Sequence, residues 1–332
     1  MFRFPVFWCC LCAVLAYAPL SVAEEQKFNP AIIYLSASDR DGTFVDSGRM
    51  GLAKAENDFH AHITEYRATT ADEIPALIKR AADAGANPVI ALGYQNVVPV
   101  LNLAERYPRT RFTVIDGLVP PLYPNVQSIL FKDHEGAFLV GMIAGKTSRS
   151  GHVGFIGGMD VPLIRNFAKG YIQGVRYANP KAVIDSVMIG DTADAWSNPT
   201  RAHELALAQF ANGVEVVFAP AGGSSVGVLR AANDAGKLAI GVDSNQNGLY
   251  PGRVLTSMVK RVDLVIYDAL KSARNGEWSP GIKYLGIKEG ALDYAVDQYN
   301  QGLISEKLID QVANAKERII NGIIIVDTYQ AK

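Results

Sequence analysis

Cysteine is confined to the start of this 332-residue chain, at Cys9, Cys10 and Cys12. The rest of the sequence has no thiol, which excludes disulfides, thiolate metal sites and a cysteine nucleophile there. Histidine is scarce as well: His60, His62, His134, His152 and His203 show no HExxH spacing. His60 and His62 make an H-x-H pair that would suit a metal on a strand, but they are expected at a helix end. Charge of one sign is also lacking. With 32 basic and 33 acidic side chains the net charge is −1, so the basic surplus of a nucleic-acid-binding surface is missing. No helix-turn-helix signal opens the chain, which counts against a ligand-sensing transcription factor. After the first two dozen residues no segment reaches about 18 consecutive apolar residues, and the body of the protein is expected to be soluble.

The N-terminus is the exception. Arg3 precedes an apolar run from Phe4 to Leu20, closed by the small residues Ser21-Val22-Ala23. This is the pattern of a secretory signal with an A-x-A-like cleavage site before Glu24. The run approaches the length of a membrane anchor, which is the competing reading. The cysteines lie too early to be lipid-attachment sites, so all three are expected to leave with the signal.

What the chain does contain is alternation. Short apolar strands are predicted over 31–36, 89–93, 112–116, 126–131, 152–157, 183–189, 214–220, 238–243 and 254–259, and their near-continuous Val/Ile/Leu/Phe content suits parallel strands covered on both faces. Amphipathic helices lie between them. Thr70 and Glu73 read as a capping box for a helix over 71–84, Asn198-Pro199 starts another, and Val262, Val265, Ile266, Ala269 and Leu270 give 261–273 one apolar face. This is βαβ alternation, hence an α/β fold. The rhythm restarts near His152 after a helix over 135–146, predicting two similar lobes with a ligand between them. The tail after Pro280 changes character: strand-like pieces at 282–287 and 292–296, a helix over 305–320 and a last apolar strand at 323–326.

Candidate chemistry clusters where strands end, which is where open α/β sheets bind ligands. The stretch Gly213 to Asp263 reads strand, Gly222-Gly223 turn, helix, strand ending at Asp243, and strand ending at Lys260. The glycine pair lets backbone N–H groups approach a ligand at a helix start. An acid and a lysine on one rim can hold a hydroxyl-rich ligand from two sides. Asp116 ends the strand FTVID, and Asp41 to Ser47 form the loop after the first strand; each reads equally as a binding position or as turn and cap chemistry. Phe44, Phe167, Trp196 and Phe218 are the rings able to stack on a planar group, with Trp196 set apart by its polar loop. Enzyme signatures are weak. Gly222-Gly223-Ser224-Ser225-Val226-Gly227 lacks the lysine of a phosphate-binding loop, no G-x-S-x-G elbow occurs, and no catalytic constellation, metal site or cofactor fingerprint is found.

At this point the residues resemble a known family. The loop Asp41–Leu52, FTVID ending at Asp116, FKDHEGAFLVGMIAG (131–145), VGFIGGMD (153–160), FAKGYIQGV (167–175), AGG (221–223), IGVDSNQ (240–246) and VLTSMVKRVD (254–263) are together similar to the basic membrane protein family, the PnrA-like purine-nucleoside substrate-binding proteins of ABC transporters. The resemblance implies a type I periplasmic binding protein fold: two Rossmann-like lobes with parallel sheets joined by a hinge. With the signal at 1–23, the lobes are expected as 24–130 plus about 254–280, and 131–253 plus about 281–332. It further implies a monomer that captures a purine nucleoside or nucleobase, delivers it to an inner-membrane permease and performs no catalysis. By motif, Asp243, Lys260 and Asp116 would bind ribose hydroxyls, helped by Gly222-Gly223, and Asp41 would reach the base edge. Phe44 would be one wall of a base sandwich, and Phe218, or else Phe167 or Trp196, the other.

Two departures stand out. The family loop commonly carries Asn where this chain has Val45, so one base contact is missing or moved to Asp46, Ser47 or Gln95; an unmet buried polar edge costs about 1–3 kcal/mol. The lipid-attachment cysteine of many relatives is also absent, which predicts a free periplasmic protein. A sugar or another small hydroxylated ligand fits the same cleft, and a periplasmic nucleoside hydrolase is the reading from another class. Transport and sensing are not distinguished by any residue pattern.

Overall fold

Runs such as Val89–Leu92 and Phe112–Ile115, buried at every position, leave a strand no face to turn to water, so they become interior strands of parallel sheets. The computed structural model describes Met1, residues 28–36 and residues 42–330. Apart from Met1, the expected signal at 1–23 lies outside the described residues, as does Asp41. The elements run β1 (Ala31–Leu35), α1 (Phe44–Phe59), β2 (Thr64–Ala68), α2 (Ile74–Asp83), β3 (Val89–Leu92), α3 (Val97–Ala104), β4 (Phe112–Ile115) and β5 (Val126–Phe131). They continue with α4 (Asp133–Thr147), β6 (His152–Met159), α5 (Pro162–Ala178), β7 (Val183–Gly190), α6 (Pro199–Ala211), β8 (Val216–Phe218), α7 (Ser225–Asp234), β9 (Leu238–Asp243), β10 (Val254–Lys260), α8 (Val262–Arg274), β11 (Gly281–Leu285), β12 (Leu292–Tyr294) and α9 (Glu306–Ile320).

Two six-stranded sheets result, ordered β11-β5-β4-β3-β1-β2 and β12-β10-β9-β8-β6-β7. All pairings are parallel except β10 with β12. The two-lobed α/β expectation therefore holds, but the expected lobe boundaries need correction. Residues 254–260 belong to the second sheet, beside β9, and 281–285 belong to the first, beside β5. An apolar strand carries the same pattern whichever sheet it joins, so the sequence could not assign them. The chain crosses between lobes after β5, after β10 and after β11. Backbone hydrogen bonds lace these crossings: Lys132 N–H donates to Leu285 O at 2.8 Å and Arg261 N–H to Ala291 O at 2.9 Å.

Other expectations shift locally. β2 was not foreseen, because the edge strand Thr64–Ala68 alternates exposed and covered residues in a polar sequence. The helix expected over 71–84 is a 3-10 turn, Ala71–Glu73, leading into α2. Glu73 reaches back to the N–H and hydroxyl of Thr69, with smaller contributions from Thr70. The strand expected at 323–326 is no strand. Its backbone bonds to side chains of α5 instead: Gln173 Nε2 donates to Ile325 O, and Gln173 Oε1 and Asn166 Oδ1 accept from Asp327 and Tyr329.

Each lobe owes its rigidity to a helix pair in close contact. In the second, a β-carbon on Gly170 or Gly174 of α5 would fall on the His134 or Phe138 carbonyl oxygen of α4. In the first, Gly51 of α1 lies against the Asp263 carbonyl at the start of α8. Replacing Gly174 with Ala should therefore push α4 and α5 apart and cost roughly 1–3 kcal/mol, the usual range for overpacking, read as a lowered urea midpoint with an unchanged slope.

Candidate functional site

The carboxyl ends of both sheets face each other across one cavity of about 690 Å³. Ser36 after β1, Gly93 to Gln95 after β3 and Asp116 after β4 line it from the first lobe, with Phe44, Val45 and Asp46 at the start of α1. From the second lobe come Leu163, Ile164 and Phe167 of α5, Trp196, Gly222 and Gly223 after β8, Asp243 ending β9 and Lys260 ending β10. Near the rim the lobes touch, where Ser244 Oγ donates to Gly42 O at 2.8 Å.

Asp116 and Asp243 share an unusual backbone. Their φ angles are 64° and 65°, the left-handed region that acids tolerate better than most L-residues. Each lobe thus turns its chain sharply at a strand end and leaves a carboxylate, 5% and 6% exposed, at the cavity edge. Between them lies Lys260, 1% exposed, with Nζ 2.5 Å from Asp116 Oδ2 and 3.1 Å from Asp133 Oδ1. The same nitrogen lies over the rings of Phe131 (4.5 Å), Phe44 and Phe167 (5.4 Å each). Burial alone would pull its pKa down, but the carboxylates of Asp116, Asp133 and Asp243 more than offset this and hold it above the ordinary lysine value. The ammonium is charged at every physiological pH.

Asp133 was missed by sequence reading. It is the first residue of α4, two positions before the expected helix start, and is completely buried. Its burial pushes the carboxyl pKa well above the usual range, against the pull of Lys260 and with the push of Asp116. An acid in a helix's first turn reads from sequence as ordinary end chemistry, and nothing in its neighbours announces a lysine far along the chain.

Of the expected aromatic walls, Phe44, Phe167 and Trp196 line the cavity, but Phe218 does not. Phe218 points from β8 into the core, fully buried, with ring centroids 5.4 Å from Tyr171, 6.0 Å from Phe155 and 6.3 Å from Phe167. It backs Phe167 and is not itself a wall, because the cavity begins only beyond the strand end, at Pro220. Trp196 is seated by glycine: a β-carbon on Gly158 would meet its ring at 2.5 Å. Ser224 ties down that loop, donating to Ala195 O and accepting from Asn198 N–H, both at 2.7 Å.

Of the three positions considered in place of Val45, Asp46 and Gln95 line the cavity, while the Ser47 hydroxyl accepts from Asp263 N–H at 3.3 Å. His60 ends α1 in a left-handed conformation and His62 pairs with Glu56. Among the described residues no cluster of three His, Cys, Asp or Glu that could hold a metal was found.

Residues 31–330 match the family described as ABC transporter substrate-binding protein PnrA-like. The chain belongs to this family. It is 29% identical over 297 residues to basic membrane protein D of Borreliella burgdorferi, covering 86% of this chain and 85% of that protein. It is 30% identical over 282 residues to an uncharacterized lipoprotein of Pyrococcus horikoshii, covering 82% and 69%. A solved ABC transporter solute-binding protein of Aeropyrum pernix superposes with a TM-score of 0.81 at 25% identity, over 91% of this chain and 94% of that one. Like its family, the protein binds a small molecule and works with an ABC transporter permease. Among the described residues no helix is long and apolar enough to cross a membrane.

The Lys260 cluster makes a pH-dependent stability prediction. In Lys260→Met, Asp133 and Asp116 face each other with no cation, and breaking a buried pair costs about 3–5 kcal/mol. Asp133, already raised, rises further without the ammonium, so the penalty is small while it is neutral and grows as pH climbs through its raised pKa. Urea unfolding should show a smaller loss at pH 5 than at pH 8.

Proposed function

We propose that the protein captures a purine nucleoside, or a related nucleobase, between its lobes in the periplasm and passes it, without catalysis, to an ABC importer. The observation that carries this reading is the mixed lining of the cavity. Asp116, Asp243 and Lys260 share it with the rings of Phe44, Phe167 and Trp196. Carboxylates and an ammonium suit a run of hydroxyls, and aromatic faces suit a planar base. Gly222-Gly223 lines the same space and adds backbone N–H donors at a helix start. Val45 presents an apolar surface beside Phe44, and Gln95 and Asp46 are among the polar groups that line the cavity and could meet a base edge.

Binding works by lobe closure. A ligand touching both lobes favours the closed state by its extra contacts there. Asp116 and Phe44 come from one lobe and Asp243, Lys260, Phe167 and Trp196 from the other, so no single lobe offers the whole site.

A thermal-shift screen against nucleosides, free bases and pentoses tests this, since a ligand that binds only the native state raises its melting temperature. The expected result is a rise with purine nucleosides that Asp243→Ala weakens by tenfold or more in affinity, about 1.4 kcal/mol. A rise with pentoses alone would replace the nucleoside by a sugar, and unchanged affinity in Asp243→Ala would remove that acid from the site.

A further inference from the structure

The Asp133 carboxyl is the most enclosed charged-type group at the lobe junction and has no role in the site as read so far. It is 0% exposed and does not line the cavity. Its Oδ1 lies 3.1 Å from Lys260 Nζ, and Asp116 Oδ2 lies closer to the same nitrogen. One ammonium is therefore shared by two buried carboxyl groups, with Asp243 close enough to add to the negative field. Such an arrangement is stable when one of the acids is neutral. Asp116 makes the hydrogen bond with Lys260 and Asp133 is the more deeply buried, so Asp133 is the acid that gives up its charge.

Its place in the fold turns this into a functional matter. Asp133 starts α4 directly after the first lobe crossing, and Lys260 ends β10 directly before the second. We propose that Asp133 is a positioning residue: in its protonated form it leaves the Lys260 ammonium hydrogen-bonded to Asp116 at the cavity edge, and ligand affinity falls when that proton is lost. An ionised Asp133 competes with Asp116 for the ammonium and draws it into the start of α4, away from the ligand.

The other titratable groups around Asp133 do not mimic this. On and beside its own helix, Lys132 pairs with Glu135 at 3.7 Å, and burial holds the His134 imidazole down at about 4, so it is neutral above pH 5. From α5, burial keeps the Tyr171 hydroxyl protonated. Lys260 stays charged throughout, leaving the carboxyls of Asp116 and Asp243 on the first-lobe and β9 strand ends.

The test uses the full chain in two arms. In the first, without ligand, carboxyl ¹³C and lysine ¹⁵N NMR follow Asp133 and Lys260, with Asp133→Asn and Lys260→Met providing assignments. Asp133 should still be a neutral acid at a pH where exposed carboxylates are ionised, and its titration should shift the Lys260 ammonium signal; an Asp133 that ionises with the exposed carboxylates, or an ammonium that ignores it, overturns the proposal. In the second, resting on the nucleoside reading, the affinity for adenosine is measured across the pH range in which the first arm finds Asp133 to titrate. The wild type should weaken by roughly threefold or more as pH rises through that range, Asp133→Asn should match it at the low-pH end and stay flat, and Asp133→Leu should be weaker at every pH. An Asn variant as weak as Leu, or one that keeps the wild-type pH slope, refutes the role. If adenosine does not bind the wild type at all, the nucleoside reading fails while the first arm still decides the role of Asp133.

Discussion

Burying an ammonium ion costs several kcal/mol unless opposite charge and acceptors surround it, and Lys260 is buried to within 1% of its side chain. The protein meets that demand from both lobes. Lys260 ends a strand of the second sheet, and Asp116, its closest partner, follows a strand of the first. In a medium of low polarity such a pair acts strongly over short distances and hardly at all once water enters. The two sheets must therefore present their carboxyl ends to one another, which is the condition for a cavity bounded by strand ends.

Motion between the lobes has to pass through the three crossings, because each lobe is locked within itself. Glycine lets α5 lie directly on the α4 backbone, and Gly51 lets α1 lie on the start of α8. Closely packed helices shift as units and do not deform continuously. The crossings are themselves tied, Lys132 to Leu285 and Arg261 to Ala291, and Glu135 accepts from Ile287 N–H at 3.0 Å. The ion pair of Lys260 lies close to one of these crossings, since its residue ends β10 just before α8.

Much of this was legible in the sequence for physical reasons that differ by element. Interior strands announce themselves by unbroken apolar runs, and Asp116, Asp243 and Lys260 could be placed at the cavity because the carboxyl end of a parallel strand has one natural location. Phe218 was misplaced because a ring at the end of a strand looks the same whether it faces the core or the rim; only the packing of Tyr171 and Phe155 decides. The allocation of 254–260 and 281–285 between lobes depends on long-range pairing that leaves no local trace. Asp133 depends on a contact with Lys260, far along the chain, and first-turn acids are too common to signal it. Strand β2 was hidden by its own exposure, since an edge strand needs apolar residues on one face only.

The left-handed turns at Asp116 and Asp243 connect these threads. A non-glycine residue in that region costs of order 1–3 kcal/mol and persists where the surroundings over-determine it. Here they do: Asp116 N–H donates to Ile129 O at 2.8 Å, and Gln246 Oε1 accepts from Val242 N–H at 2.9 Å. Glycine would relieve the turn at either place but would remove the carboxylate. An acid kept in a conformation better suited to glycine, at the same point of both lobes and on either side of one buried lysine, means that charge at the strand end is worth more to this protein than backbone comfort. Lys260 makes that trade intelligible, since both carboxylates help to hold its buried ammonium charged.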